Sequence, residues 1–130
     1  MIGRLSGKVV LDDPGGALVL DVHGVGYELM TPVGTLGRVA AGEAGVLFVH
    51  THVREDALDL FGFASELERR VFRLLIDVPN VGPRMALNLL SALPTEELSA
   101  AVQPGNVVRL CRVPGVGKKT AERLVLELKE

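Results

Sequence analysis

One 15-residue pattern occurs twice in this chain, 35 residues apart. Residues 75–89 read LIDVPNVGPRMALNL and residues 110–124 read LCRVPGVGKKTAERL. Both fit L-x-x-V-P-x-V-G-x-[K/R]-x-A-x-x-L. A single match of this kind can be accidental, but two in register point to a duplicated structural unit. Whatever the fold, its second half must place two copies of the same local geometry.

The pattern has a physical logic. The apolar residues ahead of the proline end a short helix, and Val-Gly forms a tight hairpin in which the glycine supplies a backbone conformation closed to other residues. In the first copy Asn80 stands where the second has Gly115, and asparagine tolerates the left-handed region better than other side chains. The next helix starts at once, and its first N–H groups lack intrahelical partners. With the positive end of the helix dipole, those donors suit a phosphate. Arg84, Lys118 and Lys119 occupy the first turns, where cations oppose the dipole and an anionic ligand would resolve the conflict. Ala86 and Ala121 are small enough for close helix packing. This is the helix-hairpin-helix pattern, which holds DNA backbone without reading bases.

The rest of the chain divides at residues 62–65. The first half alternates apolar runs with turn residues: IGRLSGKVV, the cluster Asp12-Asp13-Pro14-Gly15-Gly16, ALVLDV, His23-Gly24-Val25-Gly26, YELMTP, VLFVHTHV, Arg54-Glu55-Asp56 and ALDLFGF. Five short strands imply a small antiparallel barrel. An OB-fold fits, though periodicity alone leaves an SH3-like barrel open. Beyond it, Ser65-Glu66-Leu67-Glu68 is a capping-box start, with Val71, Phe72, Leu74 and Leu75 at helical spacing. Pro79, Pro83, Pro94, Pro104 and Pro114 cut the remaining chain into short helices, one of them beginning at Pro94-Thr95-Glu96-Glu97. The expected organisation is therefore a β-barrel over 1–62 and an all-α domain over 63–130.

Charge divides at the same place. The formal net charge is −2, but residues 1–62 carry four cations against eight acids and residues 63–130 ten against eight. An acidic barrel and a basic helical half suggest modules with different tasks. There is no tryptophan and only one tyrosine, a poor supply of platforms for stacking single-stranded bases. Lone Cys111 cannot form an internal disulfide and reads as a small apolar residue. His50 and His52 share a strand face without a third ligand nearby, so no metal is expected. No phosphate-cradling G-x-x-x-x-G-K-[ST] is present, which argues against ATP hydrolysis. No run approaches the ~20 apolar residues of a membrane span, and the amino terminus lacks a signal-peptide core. The expectation is a cytoplasmic protein without cofactor, metal or catalytic site.

Taken together, Met1-Ile-Gly-Arg-Leu-Ser-Gly7, Gly24-Val-Gly-Tyr27, His52-Val-Arg-Glu-Asp56, Leu60-Phe-Gly-Phe63, Val81-Gly-Pro83 and the run from Pro114 to Arg123 resemble the RuvA family, in order and spacing, over essentially the whole chain. The resemblance implies an OB barrel followed by tandem helix-hairpin-helix motifs. It implies a homotetramer, single or doubled, that holds a four-way (Holliday) DNA junction open. The partners it implies are the hexameric AAA+ motor RuvB, which drives branch migration in bacterial recombination and repair, and the resolvase RuvC. Glu55 and Asp56 match the family's acidic pin. The expected backbone-binding set is Asn80, Val81, Gly82, Pro83 and Arg84 in the first hairpin, Gly115, Val116, Gly117, Lys118, Lys119, Thr120 and Arg123 in the second, and Arg54. Family members continue into a third domain that engages RuvB, expected to be absent beyond Glu130.

Two other classes compete. A DNA glycosylase or lyase also uses such hairpins, but it needs a base pocket and a catalytic Asp or Lys downstream, where this chain offers only Glu122, Glu127 and Glu130 on one short helix. A general single-strand binder built on the barrel is opposed by the acidic first half and scarce aromatics.

Overall fold

The computed structural model describes residues 1–12, 17–32 and 44–128, with the side chains of Leu11 and Asp12 excluded. The expected turn at residues 13–16, with Pro14, and the C-terminal Glu130 lie outside the described residues. The chain forms two compact units, Met1–Arg69 and Arg70–Glu130.

The first unit is a closed barrel of five strands in the order β1-β2-β3-β5-β4. The strands are β1 (Arg4–Asp12), β2 (Ala17–Val22), β3 (Val25–Met30), β4 (Ala44–Arg54) and β5 (Ala57–Phe63). Closure depends on β1 and β4, each of which serves two neighbours. Residues 4–8 of β1 pair with β4 and residues 8–12 with β2, past an irregularity between Val9 and Leu11. A bulge of that kind bends a strand and increases its twist. The first half of β4 pairs with β1 and its second half with β5. Met30 opposite Phe61 joins β3 to β5 in parallel, and this pairing together with that of β1 and β4 makes the OB arrangement.

Alternation along these strands builds the core. Leu5, Val9, Leu18, Leu20, Leu29, Leu47, Val49 and Leu60 point inward and are buried together. The β2–β3 turn is the two-residue loop His23-Gly24, both at positive φ (50° and 90°). That combination matches the right-handed strand twist of a tight hairpin, and Asp21 Oδ1 accepts from the Gly24 N–H at 2.8 Å. The chain start is tied down by Thr51, whose hydroxyl accepts from the Ile2 N–H (3.1 Å) and donates to the Ile2 carbonyl (2.8 Å). Such pairing offsets the cost of removing the hydroxyl from water.

The helices are α1 (Glu66–Ile76), α2 (Pro83–Ala92), α3 (Thr95–Val102), α4 (Val107–Cys111) and α5 (Lys118–Leu128). Ser65 Oγ accepts from the Glu68 N–H at 3.2 Å, the first half of the expected capping box. Arg69, on the same helix, donates to the Gly3 carbonyl at 2.7 Å and lies 5.6 Å above the Phe48 ring. It thereby pins the start of α1 to the barrel. α2 opens with proline, whose missing N–H costs nothing at that position. α3 begins just after Pro94 and carries Glu96 and Glu97 in its first turn, where the helix dipole favours them. Its end is closed by the Asn106 N–H on the Ala101 carbonyl (2.8 Å). Asn106 Oδ1 then caps the five-residue α4 by accepting from the Arg109 N–H at 3.1 Å.

Candidate nucleic-acid interface

The sequence repeat is a repeat of geometry. In the first copy the Val78 N–H donates to Leu75 O (3.1 Å), Val81 N–H to Val78 O (3.0 Å) and Ala86 N–H to Gly82 O (3.0 Å). Thirty-five residues on, Val113 N–H donates to Leu110 O (3.2 Å), Val116 N–H to Val113 O (3.0 Å) and Ala121 N–H to Gly117 O (2.9 Å). Leu75, Val78, Val81, Ala86 and Leu89 are buried, as are their counterparts Leu110, Val113, Val116, Ala121 and Leu124. The pattern's apolar letters are thus the inner side of each hairpin. Its glycine and basic positions are exposed, and its variable letters are exposed or half-buried.

Two details differ from the sequence expectation. The left-handed residue is not the glycine after the valine: it is Asn80 (φ 70°) and Gly115 (φ 88°), two positions earlier. Gly82 is extended (φ −93°, ψ 176°) and serves as the N-cap of α2. A Cβ built on Gly82 or Gly117 would meet nothing within 4 Å. Neither backbone strain nor internal crowding therefore accounts for glycine at these two places, and what glycine leaves there is open space above a helix start. The second difference concerns Val81 and Val116, expected at the interface. Their side chains are 5% and 6% exposed, so only their backbone can meet a ligand.

The other expected residues divide between the two units. Asn80, Gly82, Arg84, Gly115, Gly117, Lys118 and Lys119 lie outward on the hairpins, as the half-buried Pro83 and Thr120 do in part. Exposed Arg123 approaches Glu127 at 4.0 Å, one turn on. Arg54, Glu55 and Asp56 belong to the barrel, at the tip of the β4–β5 hairpin. Glu55 and Asp56 form its two-residue turn and are exposed. Arg54 is engaged: its Nη2 donates to Asp59 Oδ2 at 2.8 Å, across the same hairpin. Sequence reading missed that clasp, as it missed Arg69 and the exposed Arg112 that precedes the second hairpin. A signal for Arg112 was available, because it occupies the position of the repeat that Asp77 holds in the first copy. Among the described residues no group of three His, Cys, Asp or Glu could hold a metal ion, and no helix is long and apolar enough to cross a membrane.

Comparison with known proteins finds two family models along the chain. One described as the RuvA N terminal domain matches residues 1–62, and one described as a SAM-like helix-hairpin-helix tandem matches residues 72–130. Similar curated proteins include those of Geobacter sulfurreducens (49% identical), Anaeromyxobacter sp. (53%) and Syntrophotalea carbinolica (51%), each aligned over 100% of this chain. Each bears the name Holliday junction branch migration complex subunit RuvA, and the chain spans 65%, 66% and 66% of their respective lengths.

Proposed function

The chain belongs to the RuvA family, and from that premise we propose that it is a non-catalytic binder of four-way junction DNA. In this reading it acts as a homotetramer that supports ATP-driven branch migration by the RuvB motor, with RuvC as a further partner. The observation that carries the reading is the pair of hairpins in register, each with an uncrowded glycine at a helix start beside exposed cations. A phosphate oxygen can approach first-turn N–H groups only where no Cβ stands in the way, and the dipole favours its charge. The contacts lie on the DNA backbone, so recognition is of shape and not sequence.

Residues 80–84 and 115–120, with Arg123, are the proposed backbone contacts. Arg54 is a weaker candidate, since it must first leave Asp59. Glu55 and Asp56 are proposed as the pin where strands separate. At ~4 Å in water a carboxylate and a phosphate repel by only about 1 kcal/mol, and screening removes most of that beyond about 8 Å at physiological salt. The acids can therefore act only on strands held against them. They shape the crossover and do not supply affinity.

The test is a gel-shift of a synthetic four-way junction against a linear duplex and a single strand of the same sequences, across a salt series. Strong junction preference with a steep salt dependence is expected, and equal binding to all three would overturn the reading. In the same assay Glu55→Gln with Asp56→Asn should leave junction binding unchanged or tighter. A clear loss would remove the pin assignment.

A further inference from the structure

The two hairpins are built alike and charged differently. Three backbone hydrogen bonds of each copy correspond, as do the buried residues, and the second copy adds one from the Arg112 N–H to the Arg109 carbonyl at 3.2 Å. Over matched windows, residues 77–88 hold one cation, Arg84, against one acid, Asp77, for a net charge of zero. Residues 112–123 hold Arg112, Lys118, Lys119 and Arg123 against Glu122, for a net charge of +3. The contrast is sharpest at the loop entrance, where exposed Asp77 in the first copy is exposed Arg112 in the second. It recurs at the helix start, where Pro83 stands opposite Lys118. Pro83 has no N–H, so α2 can offer a ligand one first-turn donor fewer than α5. The Arg123–Glu127 pair, at 4.0 Å and about half exposed on both sides, binds its arginine weakly.

Since geometry is matched and charge is not, we infer that the second hairpin is the electrostatic anchor on the DNA backbone, with Arg112 as a contact, while the first is a steric guide. This rests on the proposed phosphate-binding role of both hairpins. The second hairpin holds the backbone by neutralising phosphates. The first, neutral overall and opened by proline, sets the path of the backbone and contributes little to the salt dependence of binding. Asp77 keeps it that way.

Salt dependence tests this directly, because each phosphate neutralised on duplex DNA contributes about −0.9 to the slope of log affinity against log salt. The slope on four-way junction DNA would be measured for the parent chain, for Arg84→Gln, for Arg112→Gln with Lys118→Gln and Lys119→Gln, and for Asp77→Arg. All these side chains lie at the surface, and circular dichroism would confirm folding. The triple variant should lose about three times as much slope as Arg84→Gln, a ratio that does not depend on how many protomers engage the DNA. Asp77→Arg should steepen the slope and tighten binding. A ratio below two, or an unmoved slope in Asp77→Arg, would overturn the inequality while leaving phosphate binding in place. No slope change in either neutralised hairpin would remove the phosphate-binding reading itself.

Discussion

Leu110→Ala is expected to lower the stability of the helical unit by about 2–5 kcal/mol, the range for deleting a fully buried leucine. The local consequence should exceed that of Leu75→Ala, its counterpart in the first hairpin. Leu75 sits in an 11-residue helix that also buries Phe72 and is capped by Ser65. Leu110 sits in a helix of five residues, where it is the only buried side chain. An isolated helix that short has no stability of its own in water. What holds α4 is the Asn106 cap, this one buried side chain and the Arg109–Glu97 ion pair at 3.4 Å, whose exposure leaves it little weight. Without the Leu110 side chain, the backbone carbonyl at this position, which accepts from Val113, is no longer held in place, and the second hairpin loses its entry. Urea unfolding would give the stability change. Amide exchange at Val113 and Val116, set against Val78 and Val81 in Leu75→Ala, would show whether opening is local. Equal protection in the two variants would mean that α4 is held by something other than Leu110.

That asymmetry shows which features a sequence can display. The repeat, its buried letters and the helix starts at Pro83 and Thr95 follow from periodicity and from proline's missing N–H, both local properties. The barrel's strands were legible for the same reason: Leu18, Leu20, Leu47 and Val49 alternate as a half-buried strand requires. The barrel's closure was not. It depends on β3 meeting β5 in parallel and on β4 dividing its length between β1 and β5, pairings between residues far apart in the chain. Periodicity is blind to these, and so an SH3-like barrel stayed open until strand order settled it. The position of the left-handed residue fell between these cases. Gly-Val-Gly in the second copy offers two glycines, either of which could take positive φ. The first copy resolves the choice, because Asn80 replaces the residue that must, and asparagine is the side chain that tolerates it. Arg69 and the Arg54–Asp59 clasp were hidden for another reason. A basic residue on a helix or at a strand end looks solvent-bound until the carbonyl or carboxylate it reaches is known.

Gly82→Ala and Gly117→Ala are expected to weaken DNA binding by roughly tenfold to a hundredfold each while leaving stability within about 1 kcal/mol of the parent, since losing one hydrogen bond to a charged group costs about 1.5–3 kcal/mol and each 1.4 kcal/mol is a factor of ten. On the folding side two small terms oppose each other. Alanine narrows the unfolded ensemble, worth about 0.4–1 kcal/mol where the native backbone suits it, and the extended conformation of Gly82 does suit it. Against that, alanine is a poorer N-cap than glycine by a similar amount. The added methyl meets no protein atom within 4 Å at either site, so no packing term enters. On the binding side the same methyl occupies the place a phosphate oxygen must take to reach the first-turn N–H groups. Here the two hairpins should behave alike, because a steric block does not depend on local charge; neutralising their cations should separate them. Thermal melts alongside gel-shifts on junction DNA give both readouts. If both alanine variants bound junctions as tightly as the parent, glycine at these helix starts would have nothing to do with DNA. If they unfolded instead, the open space above Gly82 and Gly117 would be filled in the native protein by something other than a phosphate.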